Sequence, residues 1–375
     1  MSDRTKADLP AVGRTFALPG DYVAGGPYGS GHINDTFRVT YRQGRTNVRY
    51  IHQRINHEVF TNPPALMENI HRVTHHIRSK WEAAGAADVA RRALTLIPTG
   101  QGEAYHQDDA GAYWRTYVFV EGASTHDVLQ TPAQAREAAF AFGRFQAQLA
   151  DLPGPRLHET IPHFHDTPKR LEVLRDAVAR DVCGRAAGVA EERRFIFARS
   201  AETRHLLDLH RAGRIPERVT HNDTKLNNVM LDDTTGEGLC VIDLDTVMPG
   251  LALYDFGDMM RTALSPAAED ERDVSKVVAR LDFFAALVEG YLAAAGDMLT
   301  ADECEHLAFS GRLITLEIGI RFLTDYLTGD RYFKIQRPDH NLDRARTQIA
   351  LVKSMEAQRE EMEQAVRRIR AKHGP

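Results

Sequence analysis

The chain has 375 residues and carries 47 Lys and Arg against 52 Asp and Glu, a formal charge of −5 at pH 7. With 43% apolar and 26% charged residues this is the balance of a folded globular protein, which excludes whole-chain disorder. The acidic balance argues against a nucleic-acid partner, Cys183, Cys240 and Cys304 are too far apart for a disulfide framework or zinc cluster, and no apolar run reaches the roughly 18 residues of a membrane span; a cytoplasmic protein, monomeric or weakly self-associating, is expected.

Residues 22–24 read as a strand entering a glycine cluster, Gly25, Gly26, Gly29 and Gly31. The strand pattern resumes over 36–41, turns at Gln43-Gly44 and continues over 48–55. Alternation in that last strand places Ile51, Gln53 and Ile55 on one face and His52, Arg54 and Asn56 on the other. A helical pattern over 65–80 follows, then strands near 93–97 and 112–120. From Pro132 the chain turns mainly helical, with patterns over 133–149, 169–180, 191–210, 270–295 and 302–327. The reading is α+β: a small β-rich lobe, 1–121, joined at Glu121-Gly122 to a larger, mainly helical lobe, 122–375.

One stretch interrupts the helices. Val219-Thr220 leads into His221-Asn222-Asp223-Thr224-Lys225-Leu226-Asn227-Asn228, and two short apolar runs, 229–231 and 239–242, flank a polar turn; Asp243 ends the second run. Such a pair of runs predicts a hairpin, and a hairpin brings its outer ends together. Asp223, Asn228 and Asp243 are therefore expected to meet. An Asp followed five residues later by Asn, with a further carboxylate at the end of the returning strand, suits phosphoryl transfer from ATP. One carboxylate orients and deprotonates a hydroxyl, while a carboxylate and an amide oxygen hold Mg2+ against the phosphates. Late in the chain, Glu317, Arg321 and Asp325 share one face of an otherwise apolar helix and read as a polar stripe lining an acceptor cleft, with Tyr332 just beyond the Gly329 turn. His71 with His75 and His163 with His165 are spaced as ligand pairs, but neither pair has a third ligand, so zinc is not expected.

The string H-N-D-x-x-x-x-N followed by I-D resembles the H-x-D-x-x-x-x-N and later Asp of the aminoglycoside phosphotransferase and choline kinase superfamily, which shares the two-lobed protein-kinase fold. The longer strings GSGHINDTF, HQRINHEVF, THNDTKLNNVMLD, VIDLDTVMPGL, YDFGDMMR and RFLTDYLTGDRYFK, within residues 20–340, are similar to the N-acetylhexosamine 1-kinases. The resemblance implies Asp223 as catalytic base, Asn228 and Asp243 as Mg2+ ligands, and Asp255 and Asp258 as supports of the catalytic loop. Asp245 either supports the metal or bonds locally. Gly29 and Gly31 are expected at the nucleotide phosphates, with Glu121 on the nucleotide side of the lobe junction. Third-strand phosphate lysine is absent, so Arg54, with Gln53 the alternative register, is expected in its place, and Glu68 on the next helix could pair with Arg54. His32, Asn34, Asp223, Arg321 and Tyr332 are the expected acceptor contacts. A cationic Arg321 favours a neutral sugar over a polycation, and the expected reaction is transfer of the γ-phosphoryl group of ATP to the anomeric hydroxyl. Another small alcohol, such as a different sugar, an aminoglycoside or homoserine, and a silent nucleotide-binding module are the alternatives.

Overall fold

The computed structural model describes residues 7–29 and 33–373; Gly31 and His32 lie outside them. Helix α1 (Leu9–Thr15) precedes strands β1 (Asp21–Pro27), β2 (Asp35–Gln43) and β3 (Thr46–Ile55), and α2 (Pro63–Ala83) and the single turn α3 (Val89–Arg92) lead to β4 (His106–Gln107) and β5 (Tyr113–Val118). These five strands form one antiparallel sheet in the order β1-β2-β3-β5-β4. The second part holds β6 (Ala123–Ser124), α4 (Pro132–Leu149), α5 (Thr167–Arg180), α6 (Ala190–Phe197), α7 (His205–Arg211), β7 (Arg218–Thr220), β8 (Val229–Asp232), β9 (Gly238–Val241), β10 (Met248–Gly250), α8 (Ala252–Ala263), α9 (Leu281–Ala295), α10 (Ala301–Glu305), α11 (Leu307–Leu327), α12 (His340–Ala357) and α13 (Arg359–His373). This is a kinase-like fold, a β-sheet region followed by a helical part. Among the described residues no helix is long and apolar enough to cross a membrane.

Both faces of the five-stranded sheet are covered. Phe37, Val39, Tyr41, Tyr50 and Trp114 pack on one face with Leu9 and Val12 of α1, while Ile55 and Tyr117 join Leu66, Met67 and Ile70 of α2 in the main core. In the helical part α4 lies against α9, and α11 lies against α5, α8 and α12. Gly290 makes the first of these contacts close, because a Cβ there would stand 2.1 Å from the Arg136 carbonyl oxygen.

Several elements differ from the sequence pattern. Gly25 and Gly26 belong to β1 itself, Gly25 because a Cβ would meet Tyr22 and Val39 at 2.8 Å. The expected strand near 93–97 is only an isolated bridge, Leu96 with Tyr117. The helical pattern over 191–210 breaks into α6, a 3-10 turn and α7, and the pattern from 270 becomes helical only at Leu281. Charged residues in 270–276 satisfy a helix count, yet Asp270 pairs with Arg337 and His340 and Asp273 caps its own 3-10 turn at the Ser275 amide, 3.2 Å.

Candidate functional site

The hairpin β8–β9 forms as the turn chemistry requires, with Val229 opposite Val241 and the Ile242 amide donating to the Asn228 carbonyl at 2.9 Å. Its outer ends carry Asn228 and Asp243, and β7 delivers residues 221–225 beside them. The 221–223 segment is held by a buried carboxylate from the first turn of α8: Asp255 accepts the His221 amide at 2.9 Å and the Asn222 amide at 2.7 Å. The Asp255 carbonyl takes the Thr224 hydroxyl at 2.6 Å. Asn222 adopts a left-handed backbone, φ 64°, which turns the next residue, Asp223, out of the strand direction. His221 is fully buried edge-on to Phe142 and Phe145; its Nδ1 accepts from the Asp223 amide, so Nε2–H donates to the Ile242 carbonyl at 2.9 Å. Asp258 differs from the expected support of this loop, since its carboxylate pairs with Arg261 at 2.7 Å.

Two side chains converge on Asp223. The Asn228 side-chain amide donates to its carbonyl at 2.8 Å and to Oδ2 at 3.2 Å, and Lys225 Nζ stands 3.0 Å from Oδ2. Burial would push the Asp223 carboxyl up, but the Lys225 ammonium holds it below the usual carboxylate range. Asp243, also in the left-handed region at φ 60°, is pushed up to about 6 by burial and by the neighbouring Asp245 and Asp223 carboxylates. A cluster in which one acid is charged and its neighbour resists ionising is relieved by a cation. Asn228 directs its nitrogen to Asp223, and its oxygen together with the Asp243 carboxylate would supply hard-oxygen ligands of the kind magnesium takes alongside phosphate. Among the described residues no group of three or more His, Cys, Asp or Glu side chains surrounds one point.

On the side of the sheet, β3 and β5 set Gln53 directly opposite Arg115. Arg115 is fully buried and its Nη1 meets Asp245 Oδ1 at 2.5 Å, while Asn34 Nδ2 donates to Asp245 Oδ2 at 2.5 Å. Asp245 thus bonds protein groups with both oxygens. Arg54 does not face this cluster: it lies on the α1 side with Trp114 and pairs with Asp35 at 2.6 Å. The expectation took an apolar face for core, but both faces are buried and the polar interruption on the inner face, Gln53, is what marks the site. Glu68 likewise turns from Arg54 to His158, 2.9 Å away. Gly29, at φ 81°, has open space around its Cα. Glu121 ion-pairs with Arg49 at the surface, and its carbonyl accepts from Arg91 Nε at 2.9 Å at the crossing between the two parts.

The α11 stripe divides into three different roles. Glu317 is fully buried and accepts from His165 Nδ1 at 2.8 Å and from the Thr167 hydroxyl at 2.5 Å; His165 Nε2 in turn meets the Asn222 carbonyl at 3.1 Å. Both His165 nitrogens face acceptors, and although burial opposes the charge, Glu317 raises its pKa from the ordinary value. Glu317 and His165 therefore brace the 221–223 segment from below and line no cleft. Asp325 organises the loop after α11, accepting the Arg331, Tyr332 and Phe333 amides at 2.9 Å each. Only Arg321 of the three faces outward, over the rings of Phe164 (5.2 Å), Tyr332 (5.6 Å) and Phe333 (5.6 Å), with Nη2 3.4 Å from the Tyr332 hydroxyl. Replacing Glu317 by Gln is expected to destabilise the protein by about 3 kcal/mol in thermal unfolding, because a buried partner charge is left uncompensated; a loss under about 1 kcal/mol would remove the pair from this bracing role.

The sequence pattern did not indicate Arg115, His165 or Thr167 for these places. His165 stood out only as a metal-type spacing, and the position of Arg115 depends on strand pairing that no local signal carries.

Residues 25–304 match the model of the phosphotransferase enzyme family. An aminoglycoside phosphotransferase from Alicyclobacillus acidocaldarius superposes with a TM-score of 0.62 at 14% identity, covering 98% of this chain and 99% of that one. A choline kinase from Cryptosporidium parvum does so at 0.53 and 15%, covering 96% of each chain. A spectinomycin phosphotransferase, solved with ADP and spectinomycin, gives 0.53 and 13%, covering 90% of this chain and 92% of that one. At such identities the likeness is one of fold.

Proposed function

The chain belongs to the phosphotransferase enzyme family, and from that membership we propose that it transfers the γ-phosphoryl group of ATP to the anomeric hydroxyl of an N-acetylhexosamine, giving the sugar 1-phosphate. The observation that carries the reaction class is the convergence of Asp223, Asn228 and Asp243 at the open end of one hairpin. Asp223, held ionised by Lys225, orients the acceptor hydroxyl and takes its proton. Asn228 and Asp243 would hold magnesium, which when bound neutralises the β- and γ-phosphate oxygens. The open backbone at Gly29 and the junction at Glu121 are assigned to the nucleotide.

The acceptor assignment rests on charge. A quaternary ammonium ligand needs an aromatic cage free of cations, yet the space among Phe164, Tyr332 and Phe333 holds the Arg321 guanidinium. Arg170 adds a second guanidinium, donating to the Phe164 carbonyl at 3.1 Å. Two cations here repel a polycationic aminoglycoside or choline, whereas a neutral ring with hydroxyls and an acetamido carbonyl can accept from Arg321 and stack on the exposed Tyr332. Asn34 is tied to Asp245 and the Asn56 amide, so it borders the reaction centre as a brace.

ADP release measured over a panel of sugars, kanamycin, choline and homoserine tests this reading. Turnover is expected with N-acetylglucosamine or N-acetylgalactosamine and poorer turnover with glucose, because a site that pairs the acetamido group discriminates against its loss. Arg321→Ala is expected to raise the sugar KM about ten-fold or more with the ATP KM within about two-fold, as removal of an acceptor-only contact should. Equal rises in both constants would take Arg321 out of the acceptor site.

A further inference from the structure

Strand β3 has no lysine to face the nucleotide, and the strand-to-helix ion pair by which protein kinases anchor one is not formed among the described residues: Glu68 of α2 is half-exposed and pairs with His158. The positive charge on the inner face of the sheet comes from the neighbouring strand. Arg115 of β5 is 1% exposed and joins three elements: its Nε donates to Gln53 Oε1 of β3 at 3.0 Å, its Nη1 lies 3.9 Å from Met67 Sδ of α2, and the same Nη1 donates to Asp245 Oδ1 at 2.5 Å.

Asp245 stands two residues after Asp243, in a single 3-10 turn whose residues 244–246 are all buried. The far side of that turn is tied to the 221–222 segment, since the Thr246 hydroxyl donates to the His221 carbonyl at 2.7 Å and the Thr246 carbonyl accepts from Asn222 Nδ2 at 2.9 Å. On the near side Asp245 is bonded by Arg115 of β5 and by Asn34, just before β2. Asp243 itself holds a left-handed backbone that a non-glycine residue keeps only when its surroundings fix it. A buried ion pair of this kind is a weak source of stability, but its two-sided geometry is well suited to fixing one conformation.

We infer that Arg115 is a positioning residue that aims the Asp243 carboxylate by clamping Asp245, so that the divalent-cation site is set from the sheet through β5. This rests on the phosphotransferase reading. It makes the affinity for a metal–nucleotide complex, and not nucleotide affinity itself, the property that Arg115 controls.

Calorimetric titration of the full chain with ADP, in the presence and absence of Mg2+, tests it, with thermal melting to establish folding. Arg115→Met is expected to bind ADP without Mg2+ within about three-fold of wild type and to lose about ten-fold or more of the Mg2+-dependent tightening, the usual cost of removing a group that orients a metal ligand. Asp245→Asn should lose as much, and the double variant no more than either single one, because both act through one contact. Arg115→Lys keeps the charge but not the fork that bonds Gln53 and Asp245 together, and should lose part of the tightening. Should Arg115→Met fail to fold, Arg115→Lys decides: Mg2+-dependent tightening equal to wild type overturns the inference, as do additive losses in the double variant or a loss shared equally by both titrations. A wild-type chain that binds no ADP in either condition overturns the phosphotransferase reading, and the role of Arg115 with it.

Discussion

Asp223→Asn is expected to lower kcat by about 10² or more while leaving ATP binding within a few-fold, since general-base and orienting contributions amount to about 10² to 10⁴. The substitution keeps size and an acceptor oxygen for the Asn228 amide, so the hairpin end should persist. It removes the negative charge that Lys225 accompanies at 3.0 Å and the basicity that a hydroxyl nucleophile requires. Steady-state kinetics with the sugar at saturation measure it directly. Turnover above about half of wild type would exclude Asp223 as the base, whatever the acceptor proves to be.

Asp243→Ala is expected to act on a different quantity. Burial and two neighbouring carboxylates push Asp243 up to about 6, so the isolated protein gains little from ionising it; a divalent cation changes that balance. Alanine should abolish most of the Mg2+-dependent part of nucleotide binding and reduce turnover by about 10² or more, because the group that bridges protein to phosphate is gone. Removing Asp243 also relieves repulsion, so the melting temperature of the isolated chain should not fall and is expected to rise slightly. Calorimetric titrations with unchanged Mg2+ dependence would count against Asp243 as a metal ligand.

The parts of the site that local pattern could indicate were those carried by the hairpin. A turn between two short apolar runs specifies both the pairing and which residues end up side by side, so the proximity of Asp223, Asn228 and Asp243 follows from spacing alone. The support from Asp255 was legible only through the resemblance of the YDFGD string to the superfamily. Failures occurred where distant elements decide. The face of β3 that looks into the site is selected by α1 on one side and α2 on the other, and neither helix is signalled by the strand's own residues, so the strand pattern favours Arg54 over Gln53 and carries no signal for Arg115. On α11 an i, i+4, i+8 series correctly placed Glu317, Arg321 and Asp325 on one helix face. Along that face burial changes within two turns: Glu317 meets His165, Asp325 meets a loop, and Arg321 alone reaches the surface. Helical periodicity gives direction around an axis, and what covers each position is a property of the packed molecule.

The central claim concerns where the phosphoryl group arrives, and NMR of the reaction product tests it most directly. Incubation of the enzyme with ATP, Mg2+ and N-acetylglucosamine or N-acetylgalactosamine should give a phosphorus signal coupled to the sugar H1, the mark of an anomeric phosphate. A product phosphorylated at C6, or no product from either amido sugar alongside ready phosphorylation of kanamycin or choline, would contradict it.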